Sequence, residues 1–288
     1  VTLQELYLAA SGVVAAVFGL VALVTALVVV PRDRRPSSAT AWIVVIVFVP
    51  VLGVLAFFFI GSPSLPTARR VKQRNIDRLI NERTREHGIG VQQAPGPPWL
   101  DQIVRLNQRT GALPMLQGNS AFLETGYDSS LQAIAADIDS ARDFVHVEFY
   151  LLAHDPTTAM VFDAMERAVA RGVTVRVLLD HIGSWGSPGY RRTLRKLTDI
   201  GVQWHLMLPV QPLKGRYQRP DLRNHRKLVV VDGTVGWAGS QNLVDASYNK
   251  RANRRRGLQW QDLMVRLRGP AVQELEALFI TDWYSETD

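Results

Sequence analysis

The 288-residue sequence contains no cysteine. That absence excludes disulfides, thiolate catalysis and cysteine-ligated zinc, and leaves the compartment open. A methionine start is absent too: the chain opens on Val1, so the natural N-terminus is expected to lie upstream. Charge is missing from two long stretches. Leu6 to Val30 is a run of 25 residues without a charged side chain, and Ala41 to Ile60 is a second run of 20. Each is long enough to cross a hydrocarbon core of about 30 Å as a helix. A cleaved signal peptide would begin with a basic segment, whereas this chain begins Val-Thr-Leu-Gln-Glu. The second run also argues against a signal peptide or a lone core helix. Two transmembrane helices, about 6–30 and 41–60, are therefore expected to form a membrane hairpin over residues 1–61.

What is present sets the rest of the outline. Hydrophobic residues make up 47% of the chain, ample for the core of one or two domains. The formal net charge of +7 suits anionic lipid headgroups, and nucleic acid would be attracted by the same field. Cationic flanks stay on the cytoplasmic side of a membrane. The connector between the apolar runs carries Arg32, Arg34 and Arg35, whereas the segment after the second run carries Arg69, Arg70, Lys72, Arg74, Arg78, Arg83 and Arg85. The C-terminal bulk is thus expected in the cytoplasm.

Residues 62–98 read as a basic juxtamembrane tether, bounded by Gly-Ser-Pro-Ser-Leu-Pro and Ala-Pro-Gly-Pro-Pro. Residues 99–288 read as one α/β domain. Phe144 to Leu152 alternates apolar and polar residues with period two, which predicts a strand. Pro156 to Ala170 has helical spacing, residues 173–180 form a second strand, Tyr190 to Ile200 a basic amphipathic helix and residues 202–208 a third strand. This succession is the crossover unit of a parallel or mixed sheet. A last strand over 260–267 and a helix from Pro270 to Tyr284 complete the pattern.

Between them lies Asn-His-Arg-Lys-Leu-Val-Val-Val-Asp-Gly-Thr-Val-Gly-Trp-Ala-Gly-Ser-Gln-Asn, residues 224–242. Its β-branched core predicts a strand over 225–231, and Asp-Gly-Thr predicts a turn into a return strand. Strand alternation puts His225 and Lys227 on one face. A turn centred on Gly233 and Thr234 sets His225 opposite Asn242 and Lys227 opposite Ser240. A turn centred on Asp232 and Gly233 changes the partners but keeps all four side chains on that face. Such a cluster suits a phosphodiester: the imidazole can attack phosphorus, and Lys227, Ser240 and Asn242 can hold the charged oxygens. Asp232 falls out of phase with His225 and reads as a turn and network residue. Asp262 or Glu148 is expected to orient the imidazole.

The spacing His-x-Lys-x4-Asp-x6-Gly-Ser-x-Asn, met by His225, Lys227, Asp232, Gly239, Ser240 and Asn242, resembles the signature of the phospholipase D superfamily. "HVEFYLL", "LLDHIGSWGS", "GSQNLVDASYNK", "WQDLMVRLRGPAV" and "DWYSET", with the apolar hairpin, look like the bacterial cardiolipin synthases of that superfamily. The resemblance implies a phospholipase D-like mixed sheet flanked by helices. It also implies phosphatidyl transfer between two phosphatidylglycerol molecules, giving cardiolipin and glycerol without metal or cofactor. His225 would be the nucleophile, Lys227 and Asn242 phosphate ligands, Ser240 a supporting residue and Asp232 the third member of the catalytic motif. The family uses two such motifs and this chain has one, so a missing second half or a homodimer partner is expected. The implied setting is a bacterial inner membrane, crossed more than once.

Several residues keep two readings. His181 either lines a headgroup pocket or caps a loop, and Glu148 is either an orienting group or a buried hydrogen-bonded carboxylate. Arg251, Arg254, Arg255 and Arg256 form a solvated run or contact anionic headgroups; Trp237 reads as core or pocket wall. Competing functions are a hydrolytic phospholipase D, a single-motif nuclease dimer and a non-catalytic membrane scaffold. The two apolar runs count against the nuclease, and no nucleic acid partner is expected.

Overall fold

A computed structural model describes residues 2–32, 36–61, 67–86, 97–109, 115–211, 216–217 and 222–287. Arg34 and Arg35 of the connector, residues 62–66 and 87–96 of the tether, and residues 212–215 and 218–221 before the motif lie outside the described residues. The chain forms two compact units, one within Val1–Pro66 and one within Thr67–Asp288.

The first unit is helical because its long apolar runs leave the backbone no other way to satisfy its polar groups away from water. Helix α1 (Leu3–Val24) continues through a wider π turn, Thr25–Val29. Within it, Ser11–Val29 is the one helix among the described residues that is long and apolar enough to cross a membrane. The second run departs from the single helix expected over 41–60. It is divided into α2 (Pro36–Phe48) and α3 (Pro50–Ala56), followed by a π turn at Phe57–Gly61. Pro50 is the cause: it has no N–H to donate and its ring crowds the preceding turn, so Val49 leaves helical geometry at φ −136°, ψ 69°. Hydrogen bonds from Val49 N to Val45 O (2.9 Å) and from Gly53 N to Val49 O (2.7 Å) bridge the break. Ala22, Ala26, Val30, Ala39, Ile46, Val54 and Phe57 pack inward, while Val13, Val17, Leu20, Leu27, Phe48 and Leu52 point outward.

The second unit begins with α4 (Thr67–Glu86) and α5 (Pro98–Arg109). Its centre is a seven-stranded mixed sheet with the order β1-β9-β8-β7-β2-β3-β4. The strands are β1 (Ser120–Glu124), β2 (Phe144–Phe149), β3 (Thr174–Asp180), β4 (Gln203–Met207), β7 (Lys227–Val231), β8 (Val235–Gly239) and β9 (Met264–Arg268); β5 (Val210–Gln211) and β6 (Arg216–Tyr217) make a separate ribbon. β2, β3 and β4 run parallel, and β7, β8, β9 and β1 continue the sheet antiparallel. Helices α6 (Tyr127–Asp139), α7 (Ala159–Ala170) and α9 (Tyr190–Asp199) cover one face, a short α8 (His181–Trp185) follows β3, α10 (Arg251–Arg255) lies in a late loop, and α11 (Ala271–Glu286) covers the other face.

Two cores follow from the alternation along the strands. Val145, Val147, Phe149, Val177, Val229 and Trp237 meet α6 and α7, whereas Leu178, Leu228 and Val230 meet Val272 and Phe279 of α11. Burying these side chains stabilises by roughly 1.5–3 kcal/mol each, which is what fixes the register. α4 joins this unit through α11: Arg69 Nη1 pairs with Glu286 Oε1 at 2.7 Å, and Lys72 lies 5.3 Å from the Tyr284 ring centroid. The polar ends of β2, β3 and β4 and the start of β7 share one edge of the sheet, because β7 runs back against β2. Loops at the carboxyl ends of parallel strands are free of ladder bonding, so functional side chains collect there.

Candidate active site

His225 lies two residues before the start of β7 and is exposed. The Tyr150 ring, just beyond β2, meets its imidazole edge to face with centroids 4.5 Å apart. Lys227 opens β7, is 4% exposed, and sits 5.5 Å from the same Tyr150 ring centroid. Its Nζ donates to His225 O at 2.8 Å. Burial holds the Lys227 ammonium down at about 8, with the Asp262 charge opposing the shift. Burial, then the Lys227 charge, lowers the His225 pKa against the pull of Asp180. A ring held below its ordinary value is neutral at pH 7 and keeps a lone pair for attack on an electrophile.

The turn between β7 and β8 has neither register expected from Asp-Gly-Thr. Val231 pairs with Val235 and Leu228 with Ala238, leaving Asp232, Gly233 and Thr234 as a three-residue loop. Asp232 and Gly233 both take positive φ, 49° and 60°. The odd loop length reverses the parity: Lys227 falls in phase with Gly239, and pleat alternation does not put Ser240 and Asn242 on its face. They reach the same sheet edge because β8 ends at Gly239 and the chain turns there. Ser240 Oγ accepts from Leu263 N at 3.1 Å and its N–H donates to Leu263 O at 2.9 Å. Asn242 is 4% exposed; its Oδ1 accepts from Leu151 N at 3.2 Å and its Nδ2 donates to Tyr248 Oη at 2.9 Å.

Asp232 lies at the far end of β7, about 20 Å along the chain from His225 at strand rise. Its carboxylate accepts the backbone N–H groups of Arg142 (2.8 Å), Asp143 (2.9 Å) and Phe144 (2.8 Å). Burial alone would raise its pKa, but those three bonds carry it below the ordinary value. It therefore anchors the start of β2, a network role.

The two carboxylates expected behind the imidazole part company. Glu148 pairs with Leu228 across β2 and β7, and Phe149 pairs with Lys227, so Glu148 faces α11 and Lys227 the opposite side. Fully buried Glu148 accepts from Asn224 Nδ2 at 2.8 Å. Desolvation, then the charge of Asp282, raises its pKa well above the ordinary range. Asp262 precedes β9, and its Oδ2 is buried without a hydrogen-bond partner. Its charge acts on Lys227 rather than on His225. His181 opens α8, and its Nδ1 accepts from Val210 N at 3.0 Å, so one ring nitrogen secures a loop. Burial followed by the Arg223 charge lowers its pKa.

Sequence reasoning missed the groups that frame His225. Asp180 closes β3, is fully buried, and caps α8 by accepting from Gly183 N at 2.8 Å. It pairs with Arg223 Nη2 at 2.8 Å, and Arg223 Nη2 also donates to Met207 O, tying the ends of β3 and β4 to the segment entering β7. Asn224 Nδ2 reaches Asp282 Oδ2 at 2.8 Å, and Asn224 Oδ1 accepts from Arg226 N at 3.1 Å, closing a small turn around His225. A carboxylate ending an apolar strand, as Asp180 does, was the available signal. Among the described residues no cluster of His, Asp and Glu could hold a metal ion.

A mixed α/β sheet with a neutral imidazole and a partly desolvated lysine at its strand ends, in the spacing given above, defines a phospholipase D-like domain. The chain belongs to the family described as cardiolipin synthase, PLD-like domain, whose model matches residues 134–283. A second model, phospholipase D-nuclease N-terminal, matches residues 20–62. A cardiolipin synthase from Geobacillus kaustophilus is 30% identical over 266 residues, covering 91% of this chain and 51% of that protein. Cardiolipin synthase A from Erwinia tasmaniensis is 31% identical over 281 residues, covering 94% and 56%. The chain spans about half the length of the curated relatives it matches. The crystal structure of a phospholipase D family member, Nuc from Salmonella typhimurium, aligns with a TM-score of 0.44 at 16% identity, covering 59% of this chain and 97% of that one.

Proposed function

We propose that this chain takes part in phosphatidyl transfer between two phosphatidylglycerol molecules, yielding cardiolipin and glycerol. The observation that carries the reading is an exposed, neutral His225 beside Lys227 in a chain of the cardiolipin synthase family. A ring nitrogen of His225 attacks phosphorus and the bond to the donor's glycerol oxygen breaks, leaving a phosphatidyl-histidine. Lys227 and the second N–H of Asn242 balance the charge on the phosphate oxygens, Ser240 holds the Asp262 segment, and Asp262 keeps Lys227 protonated. The departing alkoxide takes a proton from an acid, and the acid's conjugate base then accepts the proton of the acceptor's glycerol hydroxyl as that oxygen displaces His225. This chain has one motif of this type, so the acid comes from a second motif-bearing segment or a second copy of the chain.

The reading includes residence in a bacterial cell membrane, with the first unit crossing twice and residues 99–288 in the cytoplasm. The outward apolar side chains of α1, α2 and α3 support it, as do the hydrogen bonds that carry the helix past Pro50 and the basic residues after Gly61. Labelled phosphatidylglycerol given to membranes holding the full chain tests the reaction. Cardiolipin and glycerol, both lost in His225→Ala with unchanged membrane insertion, are the expected products. Phosphatidic acid instead would establish hydrolysis, and DNA cleavage with lipid inertness would overturn both lipid readings.

A further inference from the structure

Tyr248 to Leu263 forms a loop beside the motif with an unusual surface. It holds five cations, Lys250, Arg251, Arg254, Arg255 and Arg256, and a single acid, Asp262, near its end. Arg254 is engaged locally by Asn249 and Ser247. The other four cations are exposed. Next to them Leu258, Trp260 and Leu263 are 51%, 57% and 47% exposed. A merely solvated basic loop gives no reason for three large apolar side chains within six residues to stand in water. Lone exposed apolar residues are ordinary; a cluster bordered by unpaired cations has the composition of an interfacial membrane contact. Both ends of the loop are tied to the candidate site. The Trp260 ring packs on Tyr248 at 5.5 Å, whose hydroxyl accepts from Asn242, and Leu263 pairs with Ser240.

We propose that Lys250–Leu263 is a second membrane contact, separate from the apolar helices. Its cations bind anionic headgroups, and Leu258, Trp260 and Leu263 enter the interfacial layer, so that the mouth of the site opens onto lipid still held in the bilayer. The four free cations supply charge complementarity to an anionic surface, each strengthening binding by about fivefold. Aliphatic Leu258 and Leu263 gain from acyl chains and nothing from nucleobases, which favours lipid over nucleic acid. The inference rests on the proposed membrane residence but not on the proposed reaction.

The absence of cysteine makes the test direct. The full chain carrying Leu258→Cys, or Gln259→Cys as a second variant, is labelled with an environment-sensitive fluorophore and reconstituted into phosphatidylcholine vesicles with or without phosphatidylglycerol. Nitroxides on the lipid acyl chains should quench the label strongly, at least about twofold more with phosphatidylglycerol present, and Arg251→Gln/Arg255→Gln/Arg256→Gln should abolish that difference. A label at exposed Arg191→Cys should stay unquenched. Protein recovered in the vesicles with an unquenched loop label, or with equal quenching at 191, overturns the contact and leaves membrane residence intact. Protein absent from the vesicles overturns both. Shielding of the loop label by an added oligonucleotide instead of lipid would assign the surface to nucleic acid and overturn the proposal.

Discussion

Glu148 and Asp282, one next to the end of β2 and the other near the end of α11, share a single donor: Asn224 Nδ2 lies 2.8 Å from Glu148 Oε1 and 2.8 Å from Asp282 Oδ2. Burial, then the charge of Asp282, raises the Glu148 pKa well above the ordinary carboxylate range, which favours its neutral form. Arg226 pairs with Asp282.

Replacing Glu148 by Gln should therefore be mild, because an amide reproduces the neutral acid's acceptor and donor. Glu148→Ala should free Asn224, loosen the turn around His225 and lower kcat about a hundredfold, with KM within about threefold. The pH dependence has a definite sign. A carboxyl with a raised folded pKa contributes fully below its ordinary value and loses that contribution as pH rises through the raised one. Thermal midpoints of wild type and Glu148→Gln should thus diverge as pH rises above the ordinary carboxylate range, wild type losing ground. Parallel curves would show that Glu148 is ionised in the fold.

Lys227 pays for its position in stability. An ammonium whose pKa falls on folding is penalised while charged, and the penalty fades as pH rises from about 8 toward the ordinary lysine value. Lys227→Met should be inactive yet about 1–2 kcal/mol more stable at pH 7, with the gap closing near pH 10 (approximate values). Denaturant midpoints at the two pH values check this, and a less stable variant at pH 7 would refute it.

Asp232 belongs to the motif by spacing but to the scaffold by contact. Asp232→Ala removes three bonds to the start of β2 and should cost about 2–3 kcal/mol. Its carboxyl is held below the ordinary value, so the stabilisation should be present at neutral pH and vanish as pH falls through the folded pKa. Phosphohistidine formation should persist in the folded fraction at low temperature. Complete loss of the intermediate with a normal midpoint would assign Asp232 a direct catalytic part.

These contacts also explain what the sequence could and could not reveal. β3 and β7 were legible because both their faces are buried and their apolar pattern is dense, β2 because its residues alternate with period two, and α9 and α11 followed closely from helical spacing, whereas α7 begins at Ala159 rather than at the expected Pro156. The turn register was not, since Asp-Gly fits tighter hairpins equally well. What selects a three-residue loop is the Asp232 carboxylate bound to amides 88 to 90 positions away. The Glu148, Asn224 and Asp282 cluster is equally non-local, drawn from three elements that only the folded sheet assembles. The second apolar run hid its break because hydropathy does not register the missing N–H of Pro50.

Gly183 offers a way to move His225 without touching it. A Cβ there would lie 2.4 Å from Tyr150 O and 2.7 Å from the Tyr150 ring, so Tyr150 must shift, and its ring is what His225 and Lys227 rest against. Gly183→Ala should cost about 1–3 kcal/mol and lower turnover at least about tenfold, while the chain still reaches the membrane. Gly186, three residues on, has open space around its Cβ position and a φ of −73°. Gly186→Ala should leave turnover unchanged and raise stability slightly, by about 0.4–1 kcal/mol. Turnover and thermal midpoint measured on the pair decide the matter: equal behaviour of the two variants would mean that Tyr150 does not set the position of His225.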